Sequence, residues 1–182
     1  MLTTGPPRYA RLPMPRVLIV EDQPPVAKAL ALLLDLNGID SAVEPDADGA
    51  LTALADGRFD VVIQDMNFAP GATSGEEGIA LFRSIRASHP ELPVLLLTAF
   101  TSLETAVQLI EEGASDYLSK PWDDTKLITA VRNLVRMAEL ASENRSLHDQ
   151  RRRARDELRR RFDLGGLVYA SDAMHEVVSL AV

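Results

Sequence analysis

Five polar side chains, each at the end of a short apolar run, have the types and spacing of a metal-assisted phosphoryl-acceptor site. VLIV leads into Glu21 and Asp22, VVIQ into Asp65, VLLL into Thr98, and DYLS into Lys120. Three carboxylates gathered within a few ångströms repel one another, so such a site demands a cation or a raised pKa. An oxygen-only donor set suits a hard divalent ion. Magnesium keeps several waters and accepts carboxylates, a backbone carbonyl and a phosphoryl oxygen around it. Zinc is disfavoured, because the chain has no cysteine and its histidines, His89, His148 and His175, lie far from the ends of these runs. Asp65 is the best nucleophile, standing where a rigid central strand presents its carboxylate to a crevice. Lys120 offers a fixed positive charge opposite it, and Thr98 a hydroxyl that can donate to a phosphoryl oxygen.

Each residue has a plainer reading. Glu21 and Asp22 precede Gln23-Pro24-Pro25 and could cap a helix, and Asp65 could be a turn residue. Thr98 could cap the helix after it, and Lys120 could be solvated before Pro121. Their joint placement in this order favours the site.

The elements that must position them alternate regularly. Val17 to Val20, Val61 to Ile63 and Val94 to Leu97 are continuous β-branched or leucine runs, as expected of strands buried on both faces. Weaker strands are predicted near Asp40 to Glu44 and Ser115 to Leu118. Helical patterns separate them over Pro24 to Leu36, Ala47 to Ala55, Glu76 to Ala87 and Ser102 to Glu112. The first opens on prolines and stops at Asn37-Gly38; the fourth stops at Gly113. Alternation over about 120 residues implies βαβ units with right-handed crossovers, hence an α/β doubly wound parallel sheet of five strands. Open sheets of this kind bind ligands at the carboxyl ends of their strands.

Asp124 is placed to cap a fifth helix carrying Leu127, Val131, Leu134 and Ala138 on one face. No Gly or Pro interrupts this pattern before Gly165, so a long C-terminal linker helix is expected. Met137, Leu140, Asn144, Leu147, Arg151, Ala154 and Leu158 alternate in steps of three and four, a weak coiled-coil seam that would pair two chains. A solvated single helix is the alternative, supported by Asp149 with Arg153, Asp156 with Arg160 and Glu157 with Arg161 at i, i+4.

Charge divides the chain. Between Arg16 and Lys126 there are 7 Lys and Arg against 19 Asp and Glu, net -12, which excludes a nucleic-acid surface there. Between Arg145 and Arg161 there are 8 Arg against 3 acids, net +5, so a nucleic-acid-binding arm stays open for that segment. Residues 1–15 carry proline and arginine without an apolar core, so they read as a loose tail and not as a signal or anchor. No apolar run approaches the ~20 residues that span a bilayer. A cytoplasmic location with no membrane partner is the resulting expectation.

The motif set VEDQ, QDMN, LLLTAF and DYLSKPW resembles that of the receiver domain of two-component response regulators, over about residues 16–137. The resemblance implies a flavodoxin-like sheet of strand order 2-1-3-4-5. It implies Glu21 and Asp22 as the acidic pair, Asp65 as phosphoacceptor, Thr98 as switch hydroxyl and Lys120 as the conserved-type lysine. It further implies Asn67 as a backbone-carbonyl ligand to Mg2+, Tyr117 as a switch aromatic that turns inward, and a Lys120-Pro121 bond that is often cis. A histidine kinase would be the phosphodonor and a homodimer through receiver and linker the output. Self-phosphorylation and self-dephosphorylation would be its only catalysis. The segment from Asn67 to Glu76 is longer than usual by about three residues, which loops tolerate.

After a helical linker over 138–164, LVYASDAMHEVV resembles the opening of the AAA+ domain of NtrC-type activators of sigma-54 RNA polymerase. Residues 165–182 would then begin a truncated ATPase domain, with Ser171 as a cap and Met174, Val177, Val178 and Ala181 on one face. RNA polymerase with sigma-54 and DNA would be reached only through domains missing here. No G-x-x-x-x-G-K-[ST] loop occurs in the chain. Two rivals remain: an aspartate-nucleophile phosphohydrolase, for which Asn67 stands where a second Asp is usual, and a dimerisation module independent of phosphorylation.

Overall fold

The computed structural model describes residues 14–67, 75–98 and 103–161, together with Met174 and Val177. The expected tail up to residue 13, the core of the lengthened segment after Asn67, and most of the AAA+-like opening, with Ser171 and His175, lie outside the described residues. Five strands alternate with five helices: β1 (Arg16–Val20), α1 (Pro24–Leu36), β2 (Asp40–Glu44), α2 (Ala47–Asp56), β3 (Val61–Asp65), α3 (Glu76–Ser88), β4 (Val94–Thr98), α4 (Leu103–Glu111), β5 (Asp116–Ser119) and α5 (Asp124–Arg161). All pairs are parallel and the strand order is β2-β1-β3-β4-β5. These are the expected topology and elements, with ends shifted by one or two residues.

Strand periodicity explains the two-sided core. Val17, Ile19, Val61, Ile63, Leu95 and Leu97 point to one face, where Leu30 and Leu34 of α1 and Leu127, Val131 and Leu134 of α5 cover them. Leu18, Val20, Val62, Val94 and Leu96 point to the other, against Ala50, Leu54, Leu81, Phe82, Ile85 and Leu109 of α2, α3 and α4. Central β3 and β4 are buried throughout, whereas the edge strands β2 and β5 have no fully buried residue.

Helix ends follow local chemistry. Pro24 and Pro25 occupy the first turn of α1, where their missing N–H groups cost nothing, and Gly38 leaves the helix at φ 75°. Asp46 caps α2 by accepting from Gly49 N at 2.8 Å. The cap of α5 is Asp123, which accepts from Lys126 N at 2.9 Å, and Asp124 is the first helical residue. In the run Trp122-Asp123-Asp124-Thr125 either aspartate satisfies the sequence rule. Only the Asp123 carboxylate sits three residues before a free amide of the first turn.

The chain divides after Ala138 into two units. Within the second, α5 runs on to Arg161, and the seam residues Leu140 and Leu147 are more than half exposed. Asp149 and Arg153 make no ion pair among the described residues. An exposed pair gains too little over water to hold two long side chains in one geometry. The other two expected pairs involve Arg160 and Arg161, whose side chains lie outside the described residues. Among the described residues no helix is long and apolar enough to cross a membrane.

Candidate phosphoryl-acceptor site

Sheet register brings the five residues together. Val20 pairs with Gln64, Asp65 with Leu97, and Thr98 with Ser119, so Glu21, Asp65, Thr98 and Lys120 all arrive at the carboxyl end of the sheet. Lys120 N donates to Thr98 O at 2.7 Å, extending the last ladder by one residue past β5. The peptide between Lys120 and Pro121 is cis.

Glu21, Asp22 and Asp65 form the expected cluster, with one oxygen of each within 4.8 Å of the others. No histidine joins it among the described residues. Glu21, Asp65 and Thr98 are each at most 5% exposed. Lys120 Nζ lies 2.7 Å from Glu21 Oε2 and 2.8 Å from Asp65 Oδ2, bridging two carboxylates that would otherwise repel. The remaining oxygens are partly engaged: Glu21 Oε1 accepts from Gln23 N and Asp65 Oδ1 from Asn67 N, each at 3.2 Å. Asp22 Oδ1 is buried without a hydrogen-bond partner. An unpaired acceptor on a member of an oxygen-only cluster fits a hard cation, which would replace its lost hydration.

Burial pushes the Glu21 carboxyl above its ordinary value and the nearby Asp65 charge adds to this, while the Lys120 hydrogen bond and charge only partly offset both. For Lys120 burial acts downward, yet the hydrogen bonds it donates to Asp65 and Glu21, together with their charges, outweigh this and raise the ammonium. The lysine is therefore a fixed cation. Tyr117, expected as an inward-turning aromatic, stands 41% exposed on β5.

Sequence reasoning missed two features. Lys120 engages Glu21 as closely as Asp65, which no spacing rule reveals. Gln64, fully buried beside Asp65, donates from Nε2 to Gly78 O at 2.7 Å. A glutamine inside the apolar run VVIQ was the available signal, since a polar group is buried only with a partner.

This fold and this strand-end cluster define a signalling receiver module. Residues 17–132 match the family model described as the response regulator receiver domain, and the chain belongs to that family. It is 34% identical over 133 residues to the C4-dicarboxylate transport transcriptional regulatory protein DctD of Rhizobium meliloti, covering 73% of this chain and 28% of that protein. It is 38% identical over 116 residues to the response regulator protein FleR of Pseudomonas aeruginosa, covering 64% of this chain and 24% of that one. The chain thus spans about a quarter of the length of these two relatives. The relatives are consistent with a receiver of the NtrC type. Among solved structures, NtrX from Brucella abortus in complex with ADP superposes with a TM-score of 0.64 at 29% identity, covering 92% of this chain and 34% of that one. The Francisella response regulator 1452 receiver domain gives a TM-score of 0.60 at 30% identity, covering 67% of this chain and 97% of that one. Response-regulator receivers are signalling modules acted on by histidine kinases.

Proposed function

We propose that Asp65 accepts a phosphoryl group from a histidine kinase and that the acyl phosphate controls the output of an NtrC-type transcriptional activator. The observation that carries this reading is the junction of Glu21, Asp22 and Asp65 within 4.8 Å, with Lys120 bridging two of them. An Asp65 carboxylate oxygen attacks the phosphorus of the kinase's phosphohistidine. The P–O bond forms as the P–N bond breaks, and the imidazole nitrogen keeps the electron pair and takes up a proton. A magnesium ion held by Glu21, Asp22, Asp65 and the Asn67 backbone carbonyl would supply the charge neutralisation that phosphoryl transfer needs. Lys120 adds a second, permanent positive charge from the chain itself. Water later attacks the phosphorus, the P–O bond breaks, and Asp65 is regenerated with release of inorganic phosphate.

The added charge and acceptor oxygens bias a two-state equilibrium. The Thr98 hydroxyl donates to a phosphoryl oxygen, and Tyr117 turns from its exposed position into the space that Thr98 leaves. α4, β5 and the start of α5 then change shape and alter dimer contacts through the receiver and the linker seam. Exposure of Met137, Leu140 and Leu147 in one chain supports that pairing. The match to Brucella abortus NtrX over 92% of this chain supports an activator architecture in which an ATPase domain follows the linker. RNA polymerase with sigma-54 and DNA are partners of such further domains.

The test is incubation with a small phosphodonor and magnesium, followed by intact mass of the parent and Asp65→Ala. The parent is expected to gain one phosphoryl group and the variant none. A gain in both would remove Asp65 from its role. Steady turnover of a generic phosphate ester would favour a phosphohydrolase instead.

A further inference from the structure

Gln64 is wholly buried in central β3 and takes no part in the cluster of charges beside it. Its Nε2 donates to Gly78 O at 2.7 Å and lies 3.8 Å from Met66 Sδ, while its Oε1 is buried with no partner. An orphaned acceptor inside a strand is a cost that an apolar residue would avoid. Its partner is equally constrained. A Cβ on Gly78 would fall 2.5 Å from Met66 O and 2.7 Å from Met66 Cα, so the first turn of α3 rests directly on the backbone that follows Asp65. Met66 N in turn donates to Leu97 O of β4 at 2.9 Å. The Met66 backbone is held between β4 and α3, and the next residue is Asn67.

We propose that Gln64 is a positioning residue for the cation seat: its amide pins Gly78, and with it the first turn of α3, against Met66, and so fixes where the Asn67 carbonyl stands. This inference rests on the magnesium-dependent reading of the site. Gly78 has no side chain to interlock with the strand, so a directional hydrogen bond sets the register that packing alone leaves loose. The orphaned Oε1 is the cost of placing a donor there. Gln64 acts through Gly78 and Met66, not on the transferred group.

Gln64→Leu keeps the volume and removes both the donor and the orphan. Thermal unfolding without magnesium is therefore expected to move by only a few degrees. Magnesium affinity is expected to fall fivefold or more, read from the fluorescence of Trp122, the only tryptophan of the chain, and from the shift in unfolding temperature on adding the ion. Phosphorylation by a small donor should slow at limiting magnesium and return to the parent rate at saturation, a split that a merely structural role does not produce. Gln64→Met lacks the donor too and serves if the leucine variant does not fold. Gly78→Ala should weaken magnesium binding by displacing Met66, with a lower unfolding temperature. If a folded Gln64 variant binds magnesium within twofold of the parent, the role of Gln64 is refuted and the proposed function stands. If the parent itself shows no magnesium response by either readout, the cation reading falls and this inference with it.

Discussion

Replacing Lys120 by methionine removes the cation that bridges Glu21 and Asp65 while nearly preserving the side chain's length. The Glu21 and Asp65 side chains are 1% and 3% exposed, so water cannot take over the screening. With cluster oxygens no farther apart than 4.8 Å, two unit charges at an effective dielectric of ~20 repel by roughly 3.5 kcal/mol. That falls within the ~3–5 kcal/mol typical of breaking a buried pair by removing one partner. At a few degrees per kcal/mol, the melting temperature should drop by about 10 °C near neutral pH. The pH dependence has a definite sign. Burial already holds the Glu21 carboxyl above its ordinary value, and losing Lys120 removes the contribution that lowers it. A carboxyl raised in the folded state adds stability below its unfolded value and loses it as pH rises through the folded value. The deficit of Lys120→Met should accordingly be larger at about pH 8 than at about pH 5, and millimolar magnesium should recover part of it at the higher pH. Circular-dichroism melts at both pH values, with and without magnesium, measure this. A deficit equal at both, or below about 1 kcal/mol, would refute the view that Lys120 neutralises a crowded carboxylate pair.

Magnesium at a hundred times its dissociation constant should stabilise the parent by about 2.7 kcal/mol in chemical denaturation, and Asp22→Asn should lose most of that gain. Arg83 donates to both carboxylate oxygens of Glu112 at 2.7 Å, and this pairing, with Gln108, holds the Glu112 carboxyl down to about 2. Arg83→Ala should return it toward the ordinary carboxylate range in a carboxyl NMR titration, where an unmoved midpoint would deny the link. Because the group is depressed, whatever stability it lends is present above its unfolded value and is lost as pH falls through about 2. Leu147→Asp puts a charge into the proposed linker seam and should weaken self-association at least tenfold, about 1.4 kcal/mol, by sedimentation. An unchanged association constant would leave α5 a solvated connector.

The sheet was legible because VLIV, VVIQ and VLLL are too apolar for anything but two-sided burial, and their order places Glu21, Asp65 and Thr98 at one end. The edges β2 and β5 were fainter, since half their side chains face water. Capping by Asp123 instead of Asp124 was hidden by two adjacent aspartates with equal capping chemistry. The double engagement of Lys120 depends on how far the residue after β5 reaches across the sheet, a quantity fixed by register and not by composition. The Gln64–Gly78 bond joins residues fourteen apart through a glycine whose importance lies in an absent side chain. The Asp149–Arg153 expectation rested on spacing alone, and spacing does not overcome solvation at an exposed site.

The most direct measurement locates the phosphoryl group itself. Borohydride reduces an aspartyl phosphate to homoserine, so the protein is treated with a small phosphodonor in magnesium, reduced, digested and sequenced by mass spectrometry. Homoserine is expected at position 65, and absent when a chelator replaces the ion. Its appearance at another aspartate, or at position 65 in equal yield without any divalent cation, would contradict a phosphoryl acceptor built from Glu21, Asp22, Asp65 and Lys120.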